Sequence, residues 1–228
     1  MEKLYEELVA FEQRNEPDIP LWRVLRDVFN RYDMSLSPFY DQLRGQMMDL
    51  HFKRPKTLQD LEEYSYYVAG SVGLMLLPII AQENHHRLRE AAINLGISMQ
   101  LTNILRDVGE DLLDIGRIYL PESLCLEEGY DLSDLNQQTI DSQFIAVWER
   151  LARSAEKRYD KFKESLGLFD RDSQFPVLLA ANVYGIILDA VRKNDYDCFT
   201  ERQSSSLMAK MCQYRYSLVF LWQVRREQ

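Results

Sequence analysis

"GISMQLTNILRDVGEDLLD", residues 96–114, sets polar side chains at a helical interval inside an apolar stretch. Counting in fours gives Asn103, Asp107 and Asp111, with Gln100 a turn earlier. Four residues turn an α-helix by about 40° and climb about 6 Å, so the three form a gently drifting stripe. Ile97, Met99, Leu101, Ile104 and Leu105 surround it. Two carboxylates held close in such surroundings repel each other and lose hydration. A divalent cation relieves both penalties. Mg2+ takes hard oxygen ligands, keeps several waters and is commonly shared with substrate phosphates. The Asn103 carbonyl adds a neutral oxygen, Gln100 can bond a substrate or a water, and Arg106 and Arg117 supply cations suited to a diphosphate. An acidic solvated face, extended by Glu110 and Asp114, is the plainer account of DxxxD on a helix. The amides within the stripe and its large apolar neighbours favour a site instead.

A second segment, "YSYYVAGSVGLML" (64–76), complements the first. Gly70 and Gly73 lie in a helical, apolar context, where each costs about 1 kcal/mol against Ala. Either a neighbouring helix approaches closely or a long apolar ligand lies against bare backbone. Composition alone favours close packing, and Tyr64, Tyr66 and Tyr67 then read as core residues with satisfied hydroxyls. Val68, Gly70 and Gly73 are the candidate contacts if a ligand lies there. Taken together, the two helices describe an apolar slot with a metal and diphosphate clamp at one end.

The bulk properties fit this. The 228 residues are 46% apolar, enough to bury a sizeable core, and the net charge of −9 argues against nucleic acid as the main partner. Cys125, Cys198 and Cys212 are scattered without a CxxC, which reads as reduced thiols in the cytosol. Cys125 has no evident base beside it, and His51, His85 and His86 lack zinc-ligand spacing, so they read as surface or loop residues. The N-terminus shows no signal-peptide pattern. The apolar run 68–81 is too short to span a bilayer and contains Pro78, so a cytoplasmic protein is expected.

Helical periodicity runs almost throughout. Helices are predicted over 20–32, 37–52 (Ser37 as N-cap, Pro38 first), 57–81 with a bend near Pro78, 83–114, 140–166, 174–194 and 204–225. Residues 116–135 read as an irregular connection. No repeat or flexible linker divides the chain, so one all-α domain of about eight helices over 1–228 is expected.

The two quoted stretches, continued by "GRIYLP" and by "NVYGIILDAVRKNDYDCFTER" (182–202), closely resemble the squalene/phytoene synthase family of head-to-head prenyltransferases. The resemblance implies an isoprenoid-synthase-type helical bundle around a central apolar cavity. It implies that Asn103, Asp107 and Asp111 are the second aspartate-rich motif, which binds Mg2+. It makes Gln100 and Arg106 substrate contacts, Tyr64 the catalytic tyrosine, and Tyr184 and Arg202 neighbours of the diphosphates.

That family carries a first aspartate-rich motif in a helix preceding the segment that resembles residues 1–15. Within residues 1–64 the acidic pairs four apart are Glu2/Glu6 and Glu12/Glu16, which read as solvent-facing. Asp41 and Asp49 share a stripe, and Asp49 reads as a structural position of the family. One clamp can hold and release one diphosphate, after which water or a second prenyl chain captures the allylic cation. Capture by water, hydrolysing farnesyl diphosphate to farnesol, is the leading expectation. A squalene, dehydrosqualene or phytoene synthase is the alternative, and a non-catalytic helical partner protein the third reading. The last segment, with Arg202, Lys210, Arg215, Arg225 and Arg226, reads as a helix docked on the bundle, with contact to an anionic membrane as the other possibility.

Overall fold

A computed structural model describes residues 1–226. Twelve α-helices follow one another: α1 (Glu2–Glu12), α2 (Pro20–Arg31), α3 (Ser37–Leu50), α4 (Leu58–Ser65), α5 (Ser71–Ile80), α6 (Arg89–Arg106), α7 (Val108–Ile115), α8 (Glu122–Glu128), α9 (Leu132–Asn136), α10 (Ser142–Glu164), α11 (Gln174–Lys193) and α12 (Leu207–Val224). A π turn, Tyr66–Gly70, joins α4 to α5, and no strand occurs among the described residues. The all-α bundle expected from periodicity is what forms.

Helix α6 is the axis. It packs most extensively on α10 and also touches α4, the π turn, α5 and α11. The reason lies in its composition, since Ala91, Ala92, Gly96, Ile97, Leu101, Ile104 and Leu105 are buried around most of its circumference. Trp148, Phe144, Leu151 and Phe162 of α10 are wholly buried against that assembly. Helix α11 is long and apolar enough to cross a membrane, yet it packs on α6, α10 and α12. A second, smaller cluster of Leu8, Phe11, Trp22 and Leu43 holds α1, α2 and α3 together.

Several boundaries depart from the periodic reading. Thr57 does cap its helix, in a reciprocal capping box with Asp60. The break after it falls at the π turn, where the Ser71 amide donates to the Tyr66 carbonyl, and not at Pro78, which sits in the last turn of α5. Ser37 is the first helical residue of α3 and makes no capping bond. Residues 116–135 contain the short helices α8 and α9. The expected helix over 83–114 starts only at Arg89 and is interrupted at Asp107.

Candidate functional site

Asp107 lies between α6 and α7 with φ −105° and ψ 19°. Its amide still donates to the Asn103 carbonyl (2.9 Å), and the Asp111 amide donates to the Asp107 carbonyl (2.8 Å). The interruption lies one bond away. Trp148 Nε1 donates to the Leu105 carbonyl (3.0 Å), and the Gly109 amide donates to the Cys198 carbonyl (2.9 Å). The i→i−4 bond between Gly109 and Leu105 is thus exchanged for two tertiary bonds, and the helix breaks without orphaning either group. A Cβ on Gly109 would lie 2.5 Å from the Phe199 Cα, so only glycine permits this approach.

The stripe's electrostatics are unequal. Arg106 grips the Asp107 carboxylate through Nε and Nη2, both at 2.6 Å, while Arg202 reaches it from α12's approach at 3.2 Å through the same pair of nitrogens. The bond to Asp107 holds the Arg106 guanidinium more firmly charged than usual. Asp111 has no such clamp. Burial, then the charges of Asp107 and Glu110, push its carboxyl up to about 6, against a partial counter-effect from Arg117. Asn103 Oδ1 is buried and has no hydrogen-bond partner among the described residues. A buried acceptor left open costs about 1–3 kcal/mol. One such oxygen beside two mutually repelling carboxylates is a donor set suited to a hard cation.

Tyr64 lies elsewhere, in a network that ties α3 to the segment after α7. Its hydroxyl donates to Asp49 Oδ1 (2.9 Å) and lies 3.4 Å from the Tyr119 hydroxyl. Arg117 Nη1 donates to the same Asp49 oxygen (2.9 Å) and to Tyr119 (3.1 Å), and its Nη2 donates to the Asp49 carbonyl (2.6 Å). Burial, followed by Tyr119 and the Asp49 charge, raises the Tyr64 hydroxyl far above the ordinary tyrosine range, so it stays protonated and donates to Asp49. Asp49 is thus the common acceptor of Tyr64 and Arg117. Tyr119 was not singled out from sequence, although it stands inside the quoted motif as "GRIYLP". Left-handed Gly116 (φ +64°) ends α7, and the Arg117 amide returns to the Asp111 carbonyl (2.9 Å), which brings Arg117 back beside the stripe.

The expected apolar slot is a groove of about 530 Å³. Val68, Val72, Gly73 and Leu76 form one wall and Ala92, Leu95, Gly96 and Met99 the other, with Phe169, Pro176 and Val177 across its end. It is open to the surface rather than enclosed, with Leu76 49% exposed. Met99, which lines the groove, and Asn103 are one turn apart on α6, so the first residue of the oxygen-bearing stripe stands one turn beyond the groove lining. Close packing accounts for the glycines. A Cβ on Gly73 would stand 2.8 Å from the Ala92 carbonyl oxygen, and one on Gly96 2.6 Å from both the Ala69 carbonyl oxygen and the Gly70 Cα. Gly96 is the tighter of the two and was not read as a packing residue. Gly70 does not line the groove; its substitution would meet the Tyr66 ring at 3.0 Å and Ile93 at an ordinary 3.7 Å.

Gln100 is half-buried on α6, and Tyr184 is half-buried on α11 within electrostatic reach of Arg106. Around Tyr64 a second hollow of about 560 Å³ is lined by Arg44, His51, Lys53, Arg54 and Lys56 together with Met47 and Phe52. Helix α12 is docked on α11, where Asn182 Nδ2 donates to Ser217 Oγ (2.9 Å).

Comparisons with known proteins bear on the family and the fold. A family model described as squalene/phytoene synthase matches residues 1–209. The chain is 34% identical over 222 residues to 15-cis-phytoene synthase of Synechococcus elongatus, covering 92% of this chain and 70% of that protein. It is 37% identical to the chloroplastic phytoene synthase 1 of Solanum lycopersicum over 86% of this chain and 49% of the relative. A crystal structure of a dehydrosqualene synthase in complex with ligand superposes with a TM-score of 0.91 at 40% identity, over 97% of this chain and 78% of that one. A squalene synthase of Alicyclobacillus acidocaldarius, 21% identical with a TM-score of 0.78, shares the fold over 86% of this chain and 73% of its own.

Proposed function

Because this chain belongs to the squalene/phytoene synthase family, we propose that it takes part in joining two allylic prenyl diphosphates head to head, as a Mg2+-dependent prenyltransferase. The relatives are synthases, and that favours condensation over the release of farnesol by hydrolysis expected from sequence alone. The observation that carries the reading is the order of environments along α6 and α7: the groove-lining Leu95, Gly96 and Met99, then Asn103 one turn on, Asp107 at the break and Asp111 on α7. A prenyl chain and its diphosphate need these two environments end to end.

In this reading Asn103 Oδ1, Asp107 and Asp111 hold Mg2+, consistent with the unpartnered Asn103 oxygen and the raised Asp111 carboxyl. When bound, the ion neutralises the diphosphate and eases its departure. Arg106 and Arg202 already lie on Asp107 and are placed to exchange that carboxylate for diphosphate oxygens. Gln100 and Tyr184 flank the same region. Val68, Gly73 and Met99 carry the prenyl chain, and the chain laid in this open groove would itself cover the apolar surface, so that the double bond of a second chain captures the allylic cation. Tyr64 and Arg117 hold a fixed donor pair on Asp49, next to a cationic hollow suited to a second diphosphate. Helix α12 carries no acidic residue and exposes Met208, Val219 and Trp222, which supports peripheral contact with an anionic bilayer.

The test supplies farnesyl or geranylgeranyl diphosphate with Mg2+, with and without NADPH, and identifies products by mass spectrometry. A thirty- or forty-carbon hydrocarbon, absent with Asp107→Ala, is the expected result. A prenyl alcohol as the sole enzymatic product would replace condensation by hydrolysis.

A further inference from the structure

Far from the aspartate stripe, Asp33, His85 and His86 bring three ligand atoms within 4.8 Å of one another. Asp33 lies between α2 and α3, and the two histidines lie in the turn between α5 and α6. Asp33 Oδ2 is 3.3 Å from His85 Nε2 and 3.4 Å from His86 Nε2. The rings lie with centroids 3.9 Å apart, so both imidazoles reach the same oxygen from one side.

The tautomer makes this arrangement hard to explain without a cation. His85 Nδ1 is 2.9 Å from the Gln82 carbonyl, an acceptor only, so Nδ1 carries the hydrogen. In the neutral ring Nε2 then presents a lone pair to the Asp33 carboxylate. Nε2 is shut off from solvent, and its approach to Asp33 is not a hydrogen bond. A cation between the two groups would satisfy both. A proton on Nε2 would gain an ion pair but no aligned bond, and it leaves the approach of His86 unexplained.

A metal ion meets all three atoms. Tetrahedral zinc holds nitrogen and oxygen at about 2.0–2.2 Å, which sets neighbouring ligand atoms about 3.3–3.5 Å apart. Both measured separations match that edge. The Nδ1 bond to a backbone carbonyl is the usual outer support of a ligating histidine. Two imidazoles and one carboxylate suit a borderline transition cation and not Mg2+, which separates this position from the aspartate stripe.

We propose that Asp33, His85 and His86 form a second metal site, for Zn2+ or a similar transition cation, with its fourth position left to water. Its effect is to fasten the segment between α2 and α3 to the turn between α5 and α6, the two helices whose residues wall the groove. That turn is itself anchored, since Asn84 Nδ2 donates to the Leu168 carbonyl (3.1 Å) and the Gln82 amide to Asp170 (3.1 Å).

The test is calorimetric titration of chelator-treated protein with Zn2+ in excess Mg2+, with Co2+ absorption as a second probe of geometry. One equivalent of Zn2+ should bind and raise the melting temperature, and Co2+ should give tetrahedral bands. His86 and Asp33 side chains are each 75% exposed, so His86→Ala and Asp33→Asn should fold. Each should weaken Zn2+ at least tenfold and abolish the thermal shift, while Asp107→Ala keeps both. Absence of Zn2+ binding in Mg2+, or equal binding by the wild type and both variants, would overturn the proposal.

Discussion

Trp148 Nε1 holds the Leu105 carbonyl at 3.0 Å, and in doing so takes the acceptor that the Gly109 amide would use in an unbroken helix. The direction of Asp111 relative to Asn103 therefore depends on a tryptophan from a different helix. In Trp148→Phe the carbonyl loses its donor inside the core, at a cost of about 1–3 kcal/mol. The expected outcome is a lower urea midpoint together with at least tenfold weaker Mg2+ protection against unfolding. Unchanged Mg2+ protection in a destabilised variant would separate the break from the metal site.

Glycines at the α5–α6 contact should respond very differently to the same substitution. Gly96→Ala drives a Cβ against backbone at 2.6 Å, which must push the helices apart and cost about 1–3 kcal/mol or more. Gly70→Ala meets a ring at 3.0 Å and not backbone, so a shift of a few tenths of an ångström relieves it, and it gains up to about 1 kcal/mol of helix propensity. Thermal melts of the two variants check this, with Gly70→Ala staying within about 1 kcal/mol of wild type. Equal losses at both positions would contradict the packing described here.

Tyr119→Phe removes one hydroxyl that touches both Tyr64 and Arg117. Asp49 still holds both partners, so the fold should survive with a loss of about 1 kcal/mol. Product formation should fall about tenfold through looser placement of Tyr64, equivalent to about 1.4 kcal/mol of barrier. Asp49→Asn should be worse than Tyr119→Phe in both assays, since Asp49 is the common acceptor of the network.

Acidity tests Asp111 directly. Its carboxyl is raised from 3.8 to about 6 in the folded protein, so its protonated form is the favoured one there. Its contribution to stability is fully present below pH 3.8 and is lost as pH rises through about 6. In metal-free protein Asp111→Asn should therefore raise stability near neutral pH, by about 1 kcal/mol after allowance for solvent screening. The gain should vanish toward pH 4. Protection of the wild type by Mg2+ should run the other way, weakening as pH falls below about 6.

What could be read in advance follows from the range of the forces involved. The bundle was legible because periodic burial is local, and Leu101, Ile104 and Leu105 announce their face within two turns. The spacing of Asn103, Asp107 and Asp111 is local too, and the structure adds that the Asn103 oxygen has no partner among the described residues. The break at Asp107 was not, because it depends on Trp148 and Cys198, which are 41 and 91 residues away in sequence. Gly73 stood out in an apolar run, whereas Gly96 stood beside a polar motif that drew attention from its packing. The histidine pair gave no spacing signal, since its third member, Asp33, comes from another loop.

The π turn at Tyr66–Gly70 carries a consequence for inheritance of the site. It holds one residue more than an α-helical turn, so everything before it is rotated by about 100° from where a plain helix would put it. Deleting one residue there would preserve the net charge and the order of all remaining side chains. It would close the bulge into an α-helical turn that rotates about as far, leaving Tyr64 toward Asp49 and Val72 and Gly73 on the groove. The same five residues wound as plain α-helix would instead turn the two faces apart, so their alignment depends on the π pattern of this one turn.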